Sequence, residues 1–336
     1  MLKTISDIKD LKSKRVLVRA DLNVPIQNGK IMDSTRIIEF LPTIDSLIKK
    51  HAKQIIILTH LGRPDGKFNE EFSLTPIYDF LKKKYKNIKF AKDFIDIDSS
   101  PLILFQNIRF FKGEEEDSKS FSKKLSTFGD VFIDDAFSVA HRKHASNYGI
   151  TKFLPSYAGP LLMKEVNAID KATENPKRPL TIIIGGAKLE TKLPLVKTLL
   201  KKADTILVGG KIASQLKTKN PKIIKAIDYS DNTGYDIGPK TISLFKDKIL
   251  KSKTIFFNGP LGYFEKKPYD KGTNEIVRLI AKQTKAGKLY SLIGGGETLQ
   301  ALGKYKKDIS YCSLSGGALL EFIEKGCLPA IKVLQQ

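Results

Sequence analysis

The sequence predicts an α/β protein with two doubly wound parallel-sheet domains. Nine short apolar runs end in polar or glycine-rich residues, and helix-like stretches separate them. Runs of aliphatic and β-branched residues without alternation are typical of strands buried on both faces. Strand–helix alternation along the whole chain favours parallel sheets with helices on both faces. A length of 336 residues suits two such domains.

The apolar runs give the predicted strands in order. The first half contains four, at 15–23, 54–63, 102–110 and 131–137. The second half contains five, at 180–188, 205–211, 254–260, 289–298 and 311–317. Apolar residues at helical spacing over 35–51 and 193–203 predict amphipathic helices between strands. The basic stretch at 217–225 has the composition of a loop.

The boundary between the halves is predicted near 150–180. An amphipathic helix candidate at about 159–173 precedes the helix-breaking sequence ENPKRP. We therefore expect two Rossmann-like domains joined by an interdomain helix. The predicted divisions are 1–155, a connecting helix and hinge at 156–175, a second domain at 176–315 and a C-terminal segment at 316–336.

Composition excludes several classes of protein. Two cysteines cannot form a disulfide framework, and no Cys/His cluster suggests structural zinc. No apolar run approaches the ~18–20 residues of a membrane span. The charged N-terminus lacks the apolar region of a signal peptide. We expect a soluble, cytoplasmic protein with no membrane partner.

The net charge of +22 raises the alternative of a nucleic-acid-binding protein. The charge comes from 50 lysines and 8 arginines, and the lysines are spread along the whole chain. Nucleic-acid-binding proteins usually gather basic residues and aromatics on one face or in one tail. We therefore expect no specific nucleic-acid partner and interpret such association as incidental.

Arginine and histidine concentrate at the predicted strand ends of the first half. Five of the eight arginines and three of the four histidines lie at or just beyond these ends. Guanidinium groups bind phosphate and carboxylate oxygens bidentately, and ligands bind at the carboxyl ends of parallel strands. The first half is therefore predicted to bind a small, multiply anionic molecule. The residues are Arg19, Asp21, Asn23, Arg36, His60, Arg63, Asn107, Arg109, Asp134, Asp135 and the run His141-Arg142-Lys143-His144.

Some of these residues have plainer interpretations. Asp21, Asn23 and the sequence HLGRP at 60–64 also suit ordinary turns. His141 and His144 have the spacing of a metal-binding pair, but no third ligand is evident, so a structural role is favoured.

Glycines end the predicted strands of the second half. They let backbone N–H groups approach phosphate oxygens, and a following helix N-terminus favours anions. Lys188 and Lys192 lie one helical turn apart, and Glu265 and Glu297 are candidate carboxylates for a ribose or Mg²⁺. This half is predicted to bind a nucleotide, although it contains neither a Walker A loop nor a GxGxxG sequence. A basic domain facing a nucleotide domain across a cleft suggests phosphoryl transfer.

Seven motifs in one order resemble those of the phosphoglycerate kinase family. They are RVLVRADLNVP, HLGRP, QNIRFF, DDAFSVAHRKHAS, GGAKLETK, NGPLGYFE and GGGET. The resemblance implies a glycolytic kinase that uses hinge closure, with ATP/ADP and Mg²⁺ as cofactors. The implied reaction is reversible: 1,3-bisphosphoglycerate and MgADP give 3-phosphoglycerate and MgATP. It also implies a C-terminal segment that returns to the first domain. We expect a monomer, although the sequence itself gives no basis for the oligomeric state.

The resemblance assigns roles residue by residue. The implied substrate-binding residues are Asp21, Leu22, Asn23, Arg36, His60, Leu61, Gly62, Arg63, Arg109 and Arg142. The implied catalytic residues are Arg36, Lys188, Lys192, Gly296 and Gly317. The implied nucleotide-binding residues are Lys192, Glu265, Gly295, Gly296, Glu297 and Thr298, with Glu297 also the metal ligand.

Departures from the family pattern lie mainly on the nucleotide side. Glu297 stands where the family usually has Asp, and Lys211 stands where an apolar residue is usual. Ser138 stands where glycine is usual. The chain is some tens of residues short between Gly210 and the DIGP sequence at 236–239, beside the family's adenine site. An active, shortened kinase is the first hypothesis; the alternative is a catalytically weakened relative that binds 3-phosphoglycerate as a sensor or scaffold.

Overall fold

The computed structural model describes residues 2–190 and 192–335. The chain divides into two compact units. Unit 1 is Met1–Lys164 with Cys327–Gln336, and unit 2 is Glu165–Gly326.

Unit 1 contains a six-stranded parallel sheet and a short hairpin. Its strands are β1 Arg15–Ala20, β2 Ile26–Gln27, β3 Lys30–Ile31, β4 Gln54–Leu58, β5 Ile88–Ala91, β6 Leu102–Phe105, β7 Val131–Asp135 and β8 Ser156–Ala158. The sheet order is β5-β6-β4-β1-β7-β8, and β2 pairs with β3 in the hairpin. The helices are α1 Thr35–Lys49, α2 Thr75–Lys84, α3 Lys119–Ser126 and α4 Pro160–Ile169. Helix α4 crosses the division between the units and continues into a π-helical turn at Asp170–Glu174.

The central strands of unit 1 are buried along almost their whole length because both faces of the sheet are covered. Val16 and Val18 belong to one buried cluster, which includes α1 residues at helical spacing. Leu17 belongs to a second cluster, with residues of α3 and β7. The helical residues in the first cluster include Ile37, Phe40, Ile44 and Leu47. Successive strand residues point to opposite faces, so a strand buried on both sides shows no alternation.

Unit 2 contains a second six-stranded parallel sheet, in the order β11-β10-β9-β12-β13-β14. Its strands are β9 Leu180–Ile184, β10 Thr205–Val208, β11 Ile223–Lys225, β12 Thr254–Asn258, β13 Tyr290–Gly294 and β14 Tyr311–Ser313. The helices are α5 Leu193–Leu200, α6 Ile212–Gln215, α7 Pro239–Lys251, α8 Lys271–Lys285, α9 Gly296–Leu302 and α10 Gly316–Lys325. A last short helix, α11 Pro329–Lys332, belongs to unit 1. With β9 counted as strand 1 of this unit, the order is 3-2-1-4-5-6, which is that of the Rossmann fold.

The predicted fold class is confirmed, since both sheets are parallel and alternate with helices. Each of the nine predicted strands is present. Most stop before the polar or glycine residues that end their runs, but β7 includes Asp134 and Asp135 and β13 includes Gly294. The prediction of a loop at 217–225 is wrong at its end, where Ile223–Lys225 forms β11 beside β10. Strands β5, β8 and β11 were not predicted, because edge strands of three or four residues carry little pattern. Within the described residues, no helix is long and apolar enough to cross a membrane.

Candidate active site

The unit 1 site forms where the strand order reverses. Strand β1 pairs with β4 on one side and with β7 on the other, so the loops after these strands meet at one edge. Asp21 follows β1, forms an ion pair with Arg36 in the first turn of α1, and accepts a hydrogen bond from the hydroxyl of Ser138 after β7. One carboxylate therefore joins three elements of the predicted site.

A second set of contacts joins the loops after β1, β4 and β6. The Asn23 side chain accepts a hydrogen bond from the Gly62 N–H at 3.0 Å. The Arg109 guanidinium donates to the Gly62 carbonyl at 2.8 Å. Gly62 has φ +61°, and a Cβ there would lie 2.3 Å from ring carbons of Phe72. The close packing and the left-handed backbone both require glycine at this position.

Buried basic residues lie behind this edge. Arg19 is fully buried and donates from one nitrogen to Nδ1 of His60 at 3.2 Å and from Nε to the Ser146 hydroxyl at 2.8 Å. Burial lowers the pKa of Arg19. Burial also holds the pKa of His60 well below its usual range, and nearby Arg19 and Arg109 lower it further. His60 is therefore neutral at physiological pH.

Three buried carboxyl groups, those of Glu114, Asp134 and Asp135, also belong to unit 1. Glu114 accepts hydrogen bonds from the Ser146 N–H at 2.9 Å and the Ser146 hydroxyl at 2.6 Å, and lies 3.7 Å from His144. Burial raises the pKa of Glu114, and raises that of Asp134 to about 7. Burial also raises the pKa of Asp135 to about 6; this residue accepts hydrogen bonds from two N–H groups in the first turn of α4.

The remaining predicted unit 1 residues differ in their surroundings. Arg109 is buried and lies 3.3 Å from Glu115, which also lies 4.0 Å from Arg142. Burial lowers the pKa of Arg109 to about 10. The Leu22 N–H donates to Thr59, and the Leu61 carbonyl accepts from Asn107, so the backbone at both positions is held in place. Arg63 is exposed and makes no ion pair with any residue that the structure describes.

The unit 2 site lies at the switch point between β9 and β12. The Gly185 N–H donates to the Asn258 carbonyl, and the Gly186 N–H donates to the Pro260 carbonyl. A Cβ at Gly185 would lie 2.1 Å from the Pro260 oxygen, and one at Gly259 would lie 2.2 Å from the Gly185 oxygen. Only glycine lets the two strand ends approach this closely.

A cavity of about 1090 Å³ opens beside this crossing. It is large enough for a nucleotide by the usual size of ligand sites. Predicted residues Glu265 and Glu297 line it together with glycines of the β9 and β10 ends. Among the described residues, the lining consists of Gly186, Ala187, Gly210, Lys211, Ser214, Tyr229, Asp231, Asn232, Thr233, Gly234, Tyr235, Pro260, Gly262, Tyr263, Phe264, Glu265 and Glu297.

Asn258 is bonded both to Lys192 and to the last residue of β13. The Lys192 amine donates to the Asn258 side-chain oxygen, and the Asn258 amide donates to the Gly294 carbonyl at 2.7 Å. Burial lowers the pKa of Lys192, and the charge of Glu297 opposes this shift. The buried Thr298 hydroxyl accepts from the Gly259 N–H at 2.8 Å. Gly295, at φ +97°, precedes α9, which begins at Gly296.

Other predicted residues do not line the cavity. Lys188 is exposed after β9, and Gly317 lies in the first turn of α10, after β14. Gly296 and Thr298 flank the lining residue Glu297 in the chain, and Gly295 precedes them. Lys192 is bonded to Asn258, directly before Gly259 and the lining residue Pro260.

A family model for phosphoglycerate kinase matches residues 5–224 and 214–326. The chain belongs to the phosphoglycerate kinase family. A phosphoglycerate kinase of Finegoldia magna is 38% identical over 397 residues, covering 99% of each chain. One of Coxiella burnetii is 37% identical over 384 residues, covering 97% of each chain.

Solved phosphoglycerate kinase structures share the fold. The Coxiella burnetii structure has a TM-score of 0.91 at 36% identity and covers 100% of this chain and 99% of its own. The Pyrococcus horikoshii OT3 structure has a TM-score of 0.82 at 28% identity and covers 99% and 98%. The predictions of this family, of a glycolytic kinase and of an enzyme are confirmed, and nothing favours the sensor alternative.

The comparisons also locate the shortening. An alignment of 397 residues with a chain of 336 leaves at least 61 positions of the relative without a counterpart. The two matched segments overlap at 214–224, within the predicted interval after Gly210. The missing residues of the family therefore belong to the β10–α7 region, beside the cavity.

Glu114, Ser146 and Asn258 have contacts in these sites and were not predicted. Glu114 and Ser146 lie in the connections after β6 and β7, beyond the short helical turns that follow these strands, and so lie farther from the strand ends than the residues that were predicted. Asn258 is the last residue of β12, directly before the predicted Gly259, so its position at a strand end could have identified it.

Proposed function

We propose that the chain transfers a phosphoryl group reversibly between 1,3-bisphosphoglycerate and MgADP, giving 3-phosphoglycerate and MgATP. The contact network of Asp21 with Arg36, and of Asn23 and Arg109 with Gly62, carries the proposal. It holds two guanidinium groups from separate elements at one strand edge. Such groups bind phosphate and carboxylate oxygens bidentately. Family membership identifies an anion with both groups as 3-phosphoglycerate.

The triose-phosphate site is assigned to one face of unit 1. Neutral His60 donates from Nε2 because its Nδ1 accepts from Arg19. Exposed Arg63 is available to a phosphate without breaking an existing ion pair. The assigned residues are Asp21, Leu22, Asn23, Arg36, His60, Leu61, Gly62, Arg63, Arg109 and Arg142.

The nucleotide site is assigned to the cavity of unit 2. The Glu265 carboxylate accepts hydrogen bonds from the ribose hydroxyls, and the N–H groups at the start of α9 donate hydrogen bonds to the phosphate oxygens. Thr298 fixes this turn through its bond to Gly259. The assigned residues are Lys192, Glu265, Gly295, Gly296, Glu297 and Thr298.

Transfer needs alignment and charge neutralisation rather than a covalent catalyst. The transferring group carries negative charge on three oxygens in the transition state. Cationic side chains and backbone N–H groups stabilise that charge most when they are already in place. The assigned groups are Arg36, Lys188, Lys192 and the N–H groups of Gly296 and Gly317.

The residues present fit a magnesium ion. Glu297 is exposed in the first turn of α9 and lines the cavity, so its carboxylate is open to a cation. Kinases commonly hold Mg²⁺ by one or two carboxylates together with substrate phosphates. When bound, Mg²⁺ supplies neutralisation of the nucleotide phosphate charge.

Steady-state turnover tests the proposal. The full-length protein is given 3-phosphoglycerate and MgATP, and the product is followed by a coupled NADH-consuming reduction. NADH loss that requires both substrates is expected. A folded, pure protein that shows none would contradict the proposed activity.

We also propose a cytoplasmic monomer whose partners are small molecules. Sedimentation at several concentrations tests the monomer. Any polynucleotide binding caused by the +22 charge is expected to disappear at moderate salt and to be independent of the nucleotide sequence.

A further inference from the structure

Two exposed tyrosines line the cavity of unit 2 and have no part in the roles assigned above. Tyr235 is 50% exposed and Tyr263 is 48% exposed, although large aromatic side chains usually bury more of their surface. Their rings are 6.1 Å apart and nearly perpendicular, at 77°. Both residues line the same cavity as Glu265 and Glu297.

The two rings are fixed in position by the backbone and by a third ring. The Tyr263 N–H donates to the Tyr235 carbonyl at 2.8 Å, which joins the two loops. The Tyr269 ring lies 5.2 Å from that of Tyr235 at 82°. The carboxylate of buried Asp236 accepts from the Gly272 N–H at 2.7 Å and ties the loop to α8. The aromatic faces are therefore held ready for a ligand.

We propose that Tyr235 and Tyr263 form the nucleobase subsite of this shortened chain and recognise the base by stacking. The inference rests on the proposed function. The tyrosines line the same cavity as Glu265 and Glu297, the residues assigned to the ribose and the metal, and Tyr263 stands two residues before Glu265 in the chain. A nucleotide held through its ribose at Glu265 therefore brings its base within reach of this pair. Tyr235 directly precedes the DIGP sequence that closes the shortened interval, so this pair stands where the chain has lost residues.

Stacking accepts any purine because every base has an aromatic face. Strong discrimination needs polar groups that match the base edge. Two polar residues of the cavity wall, Asp231 and Thr233, are bonded to each other: the Asp231 carboxylate accepts from the Thr233 N–H at 2.9 Å and from its hydroxyl. They fold the loop that carries Tyr235, whose N–H donates to the Thr233 hydroxyl at 3.3 Å. The subsite is therefore expected to bind adenine and guanine nucleotides with similar affinity.

Calorimetry on the full chain separates base binding from phosphate binding. The probes are MgADP, MgGDP and magnesium tripolyphosphate, which has no base. Tyr235→Ala and Tyr263→Ala are each expected to weaken the affinity for MgADP about tenfold, the value of one aromatic stack. The affinity for tripolyphosphate should be unchanged. Tyr235→Phe and Tyr263→Phe keep the ring and should bind MgADP as the parent does. Leu250→Ala, at an exposed apolar position of α7 outside the cavity lining, is the matched control.

The outcomes are distinguishable. MgADP affinity unchanged in both alanine variants, with the parent binding MgADP, overturns the tyrosine subsite and leaves the proposed function intact. A parent that prefers MgADP to MgGDP by more than about a hundredfold overturns recognition by stacking alone. A parent that binds neither nucleotide nor tripolyphosphate overturns the proposed function and the subsite together.

Discussion

Arg19 donates a hydrogen bond to Nδ1 of His60 at 3.2 Å inside unit 1. Arginine has donors only, so the Nδ1 of His60 is an acceptor and its proton lies on Nε2. The same guanidinium donates to Ser146, whose hydroxyl donates to Glu114. A buried cation and a buried carboxylate are thus linked through one serine, behind the residues proposed to bind 3-phosphoglycerate.

Arg19→Met is expected to destabilise the protein by about 3–5 kcal/mol, because it leaves Glu114 buried without its counter-charge. Arg19→Met combined with Glu114→Met removes both charges. The double variant should be more stable than the sum of the single effects by more than about 1 kcal/mol. Urea unfolding of the parent, Arg19→Met, Glu114→Met and the double variant measures this coupling. If the losses in the free energy of unfolding of the two single variants add up to that of the double variant, Arg19 and Glu114 are not coupled.

Stability should fall in mild acid because His144 resists protonation. Burial, followed by the charges of Arg109 and Arg19, lowers the pKa of His144 to about 3. Below about pH 6.5 the unfolded chain gains a proton at this residue that the folded chain does not. The cost reaches about 2 kcal/mol at pH 5 and continues to grow down to about pH 3.

His144→Gln removes this contribution. Asp134 and Asp135, with raised pKa values, give the opposite slope in both proteins, so the difference between parent and variant isolates the histidine. The free energy of unfolding, measured between pH 7 and pH 5, should fall less in the variant. If the free energies of unfolding of the two proteins change in parallel with pH, His144 is protonated as readily in the folded chain as in the unfolded chain.

Asn258→Ala should lower turnover about tenfold. The change removes the acceptor that holds the Lys192 amine and the donor to the Gly294 carbonyl. The KM for 3-phosphoglycerate should be unchanged, since that substrate is assigned to unit 1. Asn274→Ala, which removes an exposed bond to Asp270 on α8, is the control. Normal turnover of Asn258→Ala would exclude the positioning role.

Glu297→Asp should preserve or raise magnesium-dependent turnover. It restores the shorter carboxylate that is usual in the family, and Mg²⁺ requires near-ideal octahedral geometry. Turnover is measured against free Mg²⁺ for both proteins, and chelation should abolish it in each. Glu321→Asp, in a surface ion pair of α10, is the control. A marked fall in turnover would show that the site is adapted to Glu297.

The sequence predicted the central strands well because they are buried on both faces. Strand β4 has five consecutive buried residues, the pattern typical of a short strand covered on both faces. The site residues at strand ends followed from the parallel topology, which brings Asp21 and Ser138 together. The edge strand β11 escaped prediction because its three residues are only partly buried. Glu114 and Tyr235 escaped because folding brings their loops to the sites, whereas Tyr263 lies in the motif NGPLGYFE but only the structure shows that its ring faces the same cavity as Tyr235.

Turnover of Arg36→Ala, with Arg15→Ala beside it, tests the central claim most directly. Arg36 pairs with Asp21 at the proposed transfer site, whereas Arg15 pairs with Asp130 on the surface of the same unit. With 3-phosphoglycerate and MgATP, the parent and Arg15→Ala should turn over alike. Arg36→Ala should lose at least about a hundredfold in turnover with the fold retained, because charge stabilisation at the transferring group is removed. Arg36→Ala at the parent's rate would contradict the assignment of this site to phosphoryl transfer.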